Sequence, residues 1–182
     1  TSTSRNQSHG IVKQSKLTRC KRALQTRSEG PTPALMNLNF TLEIETTNTS
    51  TQRSMLSNRF EETNSEILSL NAGLLERYDK RLNNFFELTR DELAKPGYLG
   101  KILVLESVWK TRDRRIVNTT RHSYNNDNGF FTMAEVVNII VDFERIDRPK
   151  SKWFGGVDCH HVFFEGLRPN CERNAFRILW GS

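Results

Sequence analysis

The sequence predicts an α+β fold. We expect a mainly antiparallel sheet with one long amphipathic helix, which is alternatively a helical hairpin, and one short helix, all preceded by an extended basic N-terminal arm. Three patterns lead to this expectation. Apolar residues alternate with polar ones over 38–45, they recur at spacings of three, four and seven over 54–94, and β-rich runs return after residue 101. This order of elements favours α+β over a parallel α/β fold.

The first 34 residues carry the whole net charge of the chain. They hold seven of its 27 Lys and Arg residues and one of its 21 Asp and Glu residues, which gives the formal net charge of +6. The remaining residues contain 20 of each sign and sum to zero. Few apolar residues lie in this arm and they keep no period, so it cannot bury enough surface to fold alone. A basic segment without matching acids favours an acidic partner.

Three interpretations of the arm are open. Its Ser-rich, Arg-rich and acid-poor composition is typical of a targeting presequence. It is also typical of an extension that binds nucleic acid, because each Lys or Arg releases counterions from phosphate. The third interpretation is a solvated tail without a specific partner. The arm residues expected to contact RNA or DNA are Arg5, Lys13, Lys16, Arg19, Lys21, Arg22 and Arg27.

The body is expected to be a single α+β domain over residues 35–182. Residues 35–46 contain the first strand, in which Leu38, Phe40, Leu42 and Ile44 share one face. A polar linker follows over 46–52. The apolar stripe over 54–94 predicts the long helix or hairpin, and we expect self-association through this surface. A capping box at Thr89 precedes Lys95-Pro96-Gly97, which ends the helix.

Residues 101–182 are expected to form a ββαββ unit. The first two strands cover 102–109 and 115–120 and are joined by a charged turn. A turn-rich loop over 125–129 leads to a capping box at Thr132, which predicts a short helix that stops at Arg148-Pro149. The last two strands cover 157–165 and 176–180. The charged turn is either solvated or a second phosphate contact through Arg112, Arg114 and Arg115.

The segment Asp158-Cys159-His160-His161 has the highest density of side chains that suit metals or acid–base chemistry. On a strand over 157–165, Asp158 and His160 would share one face, while Cys159, His161 and Glu165 would share the other. Neither face then offers three close ligands. In the plainer interpretation both histidines are ordinary hydrogen-bonded residues of a strand, and no cofactor is expected.

The same segment resembles the His-Asn-His (HNH) nuclease motif. The resemblance is carried by His160-His161-Val162, by Asn170 and by Asn174-Ala175-Phe176. It implies that His161 is the general base and that Asn170 orients it. It also implies a divalent metal held by Asp158 or His160 together with Asn174.

Composition narrows the class of protein. Three cysteines do not suit a disulfide framework, so we expect a reducing intracellular compartment, such as an organelle matrix or a virion interior. No apolar stretch reaches the ~18 residues that a membrane span needs.

The expected function is a structural, non-catalytic subunit of a nucleic-acid-containing assembly, ribosome-like or virion-like, with neighbouring protein subunits and RNA as partners. The alternatives are a small HNH-like nuclease and a subunit of a protein-only complex whose arm lies on an acidic surface.

Overall fold

The computed structural model describes residues 29–48, 65–110, 116–150, 156–170 and 173–182. Arm residues 1–28 and turn residues 111–115 lie outside these ranges, and with them every residue expected above to bind nucleic acid. The elements are β1 (Gly30–Pro31), α1 (Pro33–Met36), β2 (Leu38–Asn39), β3 (Leu42–Asn48), β4 (Ser65–Ala72), β5 (Glu76–Asp79), β6 (Asn84–Glu87), α2 (Arg90–Leu93), β7 (Pro96–Leu99), β8 (Ile102–Lys110), β9 (Ile116–Asn125), β10 (Phe130–Thr132), α3 (Met133–Asp147), a 3₁₀ turn (Arg148–Lys150), β11 (Phe163–Asn170) and β12 (Ala175–Gly181).

The architecture is α+β with mainly antiparallel sheets, as the sequence predicts. The largest sheet has the strand order β11-β12-β8-β9, and β12 and β8 form its parallel pair at Phe176 and Leu105. The β3–β4 pair joins this sheet at β11, where Leu42 N–H donates to Val162 O (3.0 Å) and Phe164 N–H donates to Phe40 O (3.0 Å). Two small sheets, β1-β7-β10 and β2-β5-β6, complete the described part.

Helix α3 packs on this framework and supplies much of the core. It begins at the predicted capping box, because Thr132 Oγ1 accepts from Glu135 N–H and Glu135 Oε2 accepts from Thr132 N–H. Val136 and Ile140 are fully buried with the strand residues Leu103 and Leu105. None of the helices in the described ranges has the length and apolar character needed to cross a membrane.

The prediction of a helix over 54–94 is wrong for the residues that the structure describes. Most of residues 65–87 form the strands β4, β5 and β6, and α2 is a single turn that begins at the predicted Thr89 capping box. Strand β3 offers β4 an antiparallel ladder from Leu42↔Ala72 to Asn48↔Ser65, with one register shift between Glu45 and Thr46. This pairing satisfies the backbone of both segments and overrides the helical spacing of the leucines. Residues 54–64 lie outside the description.

Candidate functional site

The segment expected to carry chemistry is a turn rather than a strand until Phe163. The cause is the side chain of Asp158, whose Oδ1 accepts hydrogen bonds from the backbone N–H groups of His160 (3.0 Å) and His161 (3.2 Å). A short acidic side chain that captures nearby N–H groups competes with an extended ladder. The strand expected over 157–165 begins only at Phe163. Asp158 and His160 therefore do not share one strand face with Cys159 and His161 on the other.

The turn brings Asp158 and His161 together. The Nδ1 atom of His161 lies 2.8 Å from Oδ2 of Asp158. Burial raises the pKa of the Asp158 carboxyl, but hydrogen bonds from the backbone N–H groups of His161 and His160 outweigh burial, so its pKa lies below the usual value. An ionised carboxylate only accepts, so Nδ1 is the donor. This is the arrangement of a histidine oriented by a carboxylate.

Arg148 fixes this turn to helix α3. Its guanidinium is buried, and Nη1 donates to the backbone oxygens of Asp158 (3.1 Å) and His161 (2.8 Å). Its Nε donates to Glu144 Oε2 at 2.6 Å, and its Cζ lies 5.3 Å from the ring centroid of Trp180. Trp180 Nε1 in turn donates to Glu144 Oε1 at 3.0 Å. We call Glu144, Arg148, Asp158, His161 and Trp180 the buried charge network.

Burial also shifts the pKa values of other groups close to this network. Burial raises the pKa of Glu144, although the charge of Arg148 opposes the rise. The thiol of Cys159 is free, and burial followed by the charge of Asp158 raises its pKa. A raised pKa keeps the thiol protonated and lowers its reactivity.

A cleft of about 370 Å³ lies beside the network, between β8, β12 and the end of α3. Trp109 and Trp180 both line it, and the indole Nε1 of Trp109 donates to Asp147 Oδ2 at 3.0 Å. The other oxygen of Asp147, Oδ1, is buried and receives no hydrogen bond from any residue that the structure describes. The sequence does not predict Glu144, Asp147 and Arg148 as site residues. The spacing of four between Glu144 and Arg148 was readable on the helix, but their burial was not.

The structure does not assemble the nuclease motif. Asn174 lies in the β11–β12 turn with φ of 48°, whereas His161 precedes the opposite end of that hairpin, where Phe163 pairs with Gly181. The eight residues of β11 separate the two positions by roughly 25 Å at 3.3 Å per residue. Across the described ranges, no group of three or more His, Cys, Asp or Glu side chains is placed to hold a metal ion.

Asn170, the orienting residue of the motif, binds a different partner. Its Nδ2 donates to Glu106 Oε2 at 2.9 Å. Glu106 is buried, and its Oε1 lies 2.9 Å from Arg173 Nε and 3.8 Å from an Arg121 nitrogen, although no donor is aligned for a hydrogen bond to Oε1. Asn170 therefore helps to hold a buried carboxylate in the sheet. The one sign of this cluster in the sequence is that Glu106 interrupts an apolar run.

A second candidate surface lies on strands β5 and β6. Strands β5 and β6 form an antiparallel hairpin over residues 76–87, which we call the edge hairpin. Tyr78 and Phe85 are paired across it with ring centroids 5.0 Å apart, and Leu82 lies in its turn. All three side chains are exposed, Leu82 to 66%. Exposed apolar side chains clustered in this way are typical of an interaction surface.

The comparisons with known proteins returned nothing. No protein family, no curated protein and no solved structure matches this chain.

Proposed function

We propose that this chain is a structural, non-catalytic subunit of an assembly that contains nucleic acid, and that its basic arm contacts RNA. The observation that carries the proposal is the separation of charge. Residues 1–34 hold the complete net charge of +6 and the rest of the chain is neutral. Phosphate backbones bind such a segment through counterion release and need no folded site.

The described body supports a docking role. Its buried carboxylates Glu144 and Asp158 are engaged by Arg148, Trp180 and backbone N–H groups, so they stabilise the turn before β11. Of the ten large apolar side chains that are exposed in the described ranges, four lie on the edge hairpin or within two residues of it: Leu74, Tyr78, Leu82 and Phe85. A rigid body with an apolar patch is suited to contact neighbouring protein subunits, while the arm contacts phosphate.

The test is RNA binding by two matched variants of the full chain. In one, the seven Lys and Arg residues of the arm become Gln, and in the other, seven of its ten Ser and Thr residues become Gln. Fluorescence anisotropy with a labelled single-stranded RNA at low salt reports the affinity. We expect the first variant to lose roughly 100-fold or more, because its phosphate contacts are gone, and the second to bind like wild type.

Equal binding by the two variants would contradict the proposal. A full chain that binds neither RNA nor DNA would favour the protein-only complex, in which the arm lies on an acidic protein surface.

A second candidate function is phosphodiester hydrolysis with His161 as general base. It is favoured by the 2.8 Å contact between His161 Nδ1 and Asp158 Oδ2, which fixes the tautomer of the ring. Asp158 accepts three hydrogen bonds from His160 and His161, which suits the role of the group that orients the imidazole. If this function is correct, His161→Ala lowers the rate of RNA or DNA cleavage by about 10²–10⁴-fold. Cleavage that survives His161→Ala rules it out.

A further inference from the structure

The outer edge of β6 is open. In the sheet β2-β5-β6, β6 is the end strand, and no other described strand pairs with it. Its sequence, Asn84-Phe85-Phe86-Glu87, contains neither the Pro nor the Lys that commonly protects an edge from pairing. Its four residues offer few backbone hydrogen bonds, so a partner strand needs side-chain contacts as well.

The side chains of the edge hairpin suit a symmetric partner. The register places Tyr78 opposite Phe85 and Glu76 opposite Glu87, so these four side chains share one face. If two β6 strands pair antiparallel with Phe85 opposite its own copy, the two Tyr78–Phe85 pairs form one row of four rings. Cross-strand aromatic pairs of this kind stabilise a sheet.

The charges of the edge hairpin are equal in number, three acidic and three basic residues over 76–87, but they are separated along its length. Glu76 and Glu87 are directly opposite, which is destabilising, and neither forms an ion pair within the described residues. Lys80 and Arg81 are exposed in the turn at the other end, again without an ion pair in the part of the chain described. Antiparallel pairing through β6 places the basic turn of one copy beside the acidic end of the other. The hairpin is therefore complementary to itself.

We propose that the edge hairpin binds the edge hairpin of a second copy of this chain, through antiparallel β6 strands related by a two-fold axis. The inference rests on the proposed assembly function and names one neighbouring subunit in it. It keeps the self-association expected from the sequence but assigns it to a β-hairpin instead of a helix.

The test is sedimentation velocity of the full chain over a concentration series without nucleic acid. We expect a monomer–dimer equilibrium. The charge-reversal variants K80E/R81E and E87K each place like charges at the contact, and each raises the dimer dissociation constant by roughly tenfold or more. A mixture of the two variants restores the dimer, because their charges are again complementary.

Leu68→Ser is the matched control. Leu68 is an exposed leucine on β4, outside the edge hairpin, so its removal leaves the dimer intact. A chain that stays monomeric at every concentration, or a mixture that fails to restore dimer, overturns the inference. So does a Leu68→Ser variant that is as monomeric as K80E/R81E. RNA binding measured on the same samples separates the two proposals, because a monomer that binds RNA through its arm overturns the self-pairing alone.

Discussion

Two arginines of this protein each pair with a glutamate and lie over an aromatic ring, but one pair is buried and the other is partly exposed. Arg148 donates to Glu144 at 2.6 Å and lies over Trp180, and Arg77 donates to Glu92 at 2.8 Å and lies over Phe86. The side chains of the first ion pair are 2% and 5% exposed, and those of the second are 42% and 25% exposed. Burial is the clearest difference between the two sites, and Arg148 also donates to two backbone oxygens.

The difference assigns a separate role to each region. In the buried charge network, the pair of Arg148 and Glu144 is shielded from water, so loss of one partner leaves a charge that nothing else solvates. In the edge hairpin, water replaces whatever contact is lost. We therefore expect the network to fix the fold, whereas the hairpin tolerates substitution and remains available to a partner.

The largest expected effect comes from Arg148→Met. This variant leaves the Glu144 carboxylate buried without its cation, and the free energy of unfolding is expected to fall by about 3–5 kcal/mol. Urea denaturation measures it. Adding Glu144→Leu to the same chain recovers part of the loss, because the uncompensated charge is removed. A loss no larger than that of the Arg77 variant described below would contradict the comparison.

A smaller loss is expected from Trp109→Phe. Asp147 Oδ1 has no hydrogen bond within the described ranges, and the variant removes the donor to Oδ2 as well. An unsatisfied buried acceptor costs about 1–3 kcal/mol, which the shift of the urea midpoint reports. Trp180→Phe is the matched control for loss of an indole N–H, because Glu144 keeps Arg148 as a donor, so its loss should be smaller. The reverse order would refute this account of Asp147.

The buried charge network also predicts sensitivity to acid. The pKa of Asp158 is lower in the folded state than its usual value. Its contribution to stability is therefore complete above the unfolded pKa of about 4, and it is lost as the pH falls through the lower folded value. Asp158→Asn should flatten the dependence of the urea midpoint on pH in this acidic window. An unchanged slope would show that Asp158 has the same pKa folded and unfolded.

The smallest effect is expected from Arg77→Met. The pair with Glu92 is partly exposed, so the free energy of unfolding should fall by only about 0–1 kcal/mol. The same denaturation curves that measure Arg148→Met provide the comparison. A loss as large as that of Arg148→Met would show that the edge hairpin is as important for the fold as the buried network.

The sequence predicts the parts of the fold that local chemistry decides. Thr89 and Thr132 each form the predicted capping box, because side chain and backbone within four residues determine that structure. The strands over 102–109 and 176–180 have apolar, β-rich sequences and form as expected. Both signals are local, so these elements can be predicted without knowing which strands pair.

The region over 65–87 depends on long-range pairing, and there the prediction fails. Leu74 fits the helical stripe but is exposed, whereas Leu70 is buried and Ile67 packs against the core from the same strand β4. Asn83, with φ of 48°, marks the turn of the edge hairpin, a conformation that Asn tolerates better than most residues. That turn signal was available in the sequence but was outweighed by the leucine spacing.

The candidate site was predicted in part. Asp158 and His161 were recognised as chemically important, but their contact depends on a side chain that captures two N–H groups, which alternation cannot reveal. Arg148 was expected only to stop a helix, yet it joins that helix to the turn before β11. Burial of a charge is a property of the whole fold, so a pattern within one segment does not predict it.

The most direct test of the central claim is the salt dependence of RNA affinity for the full chain and for a chain that lacks residues 1–28, which leaves β1 and α1 intact. Each phosphate contact to a single strand contributes about −0.7 to the slope of log affinity against log salt, so seven basic residues predict a slope of about −5 for the full chain. We expect the slope to fall close to zero in the shortened chain, since it has lost all seven basic residues of the arm and keeps 20 basic and 21 acidic residues. Equal slopes for the two chains would contradict the claim that the arm is the nucleic-acid contact.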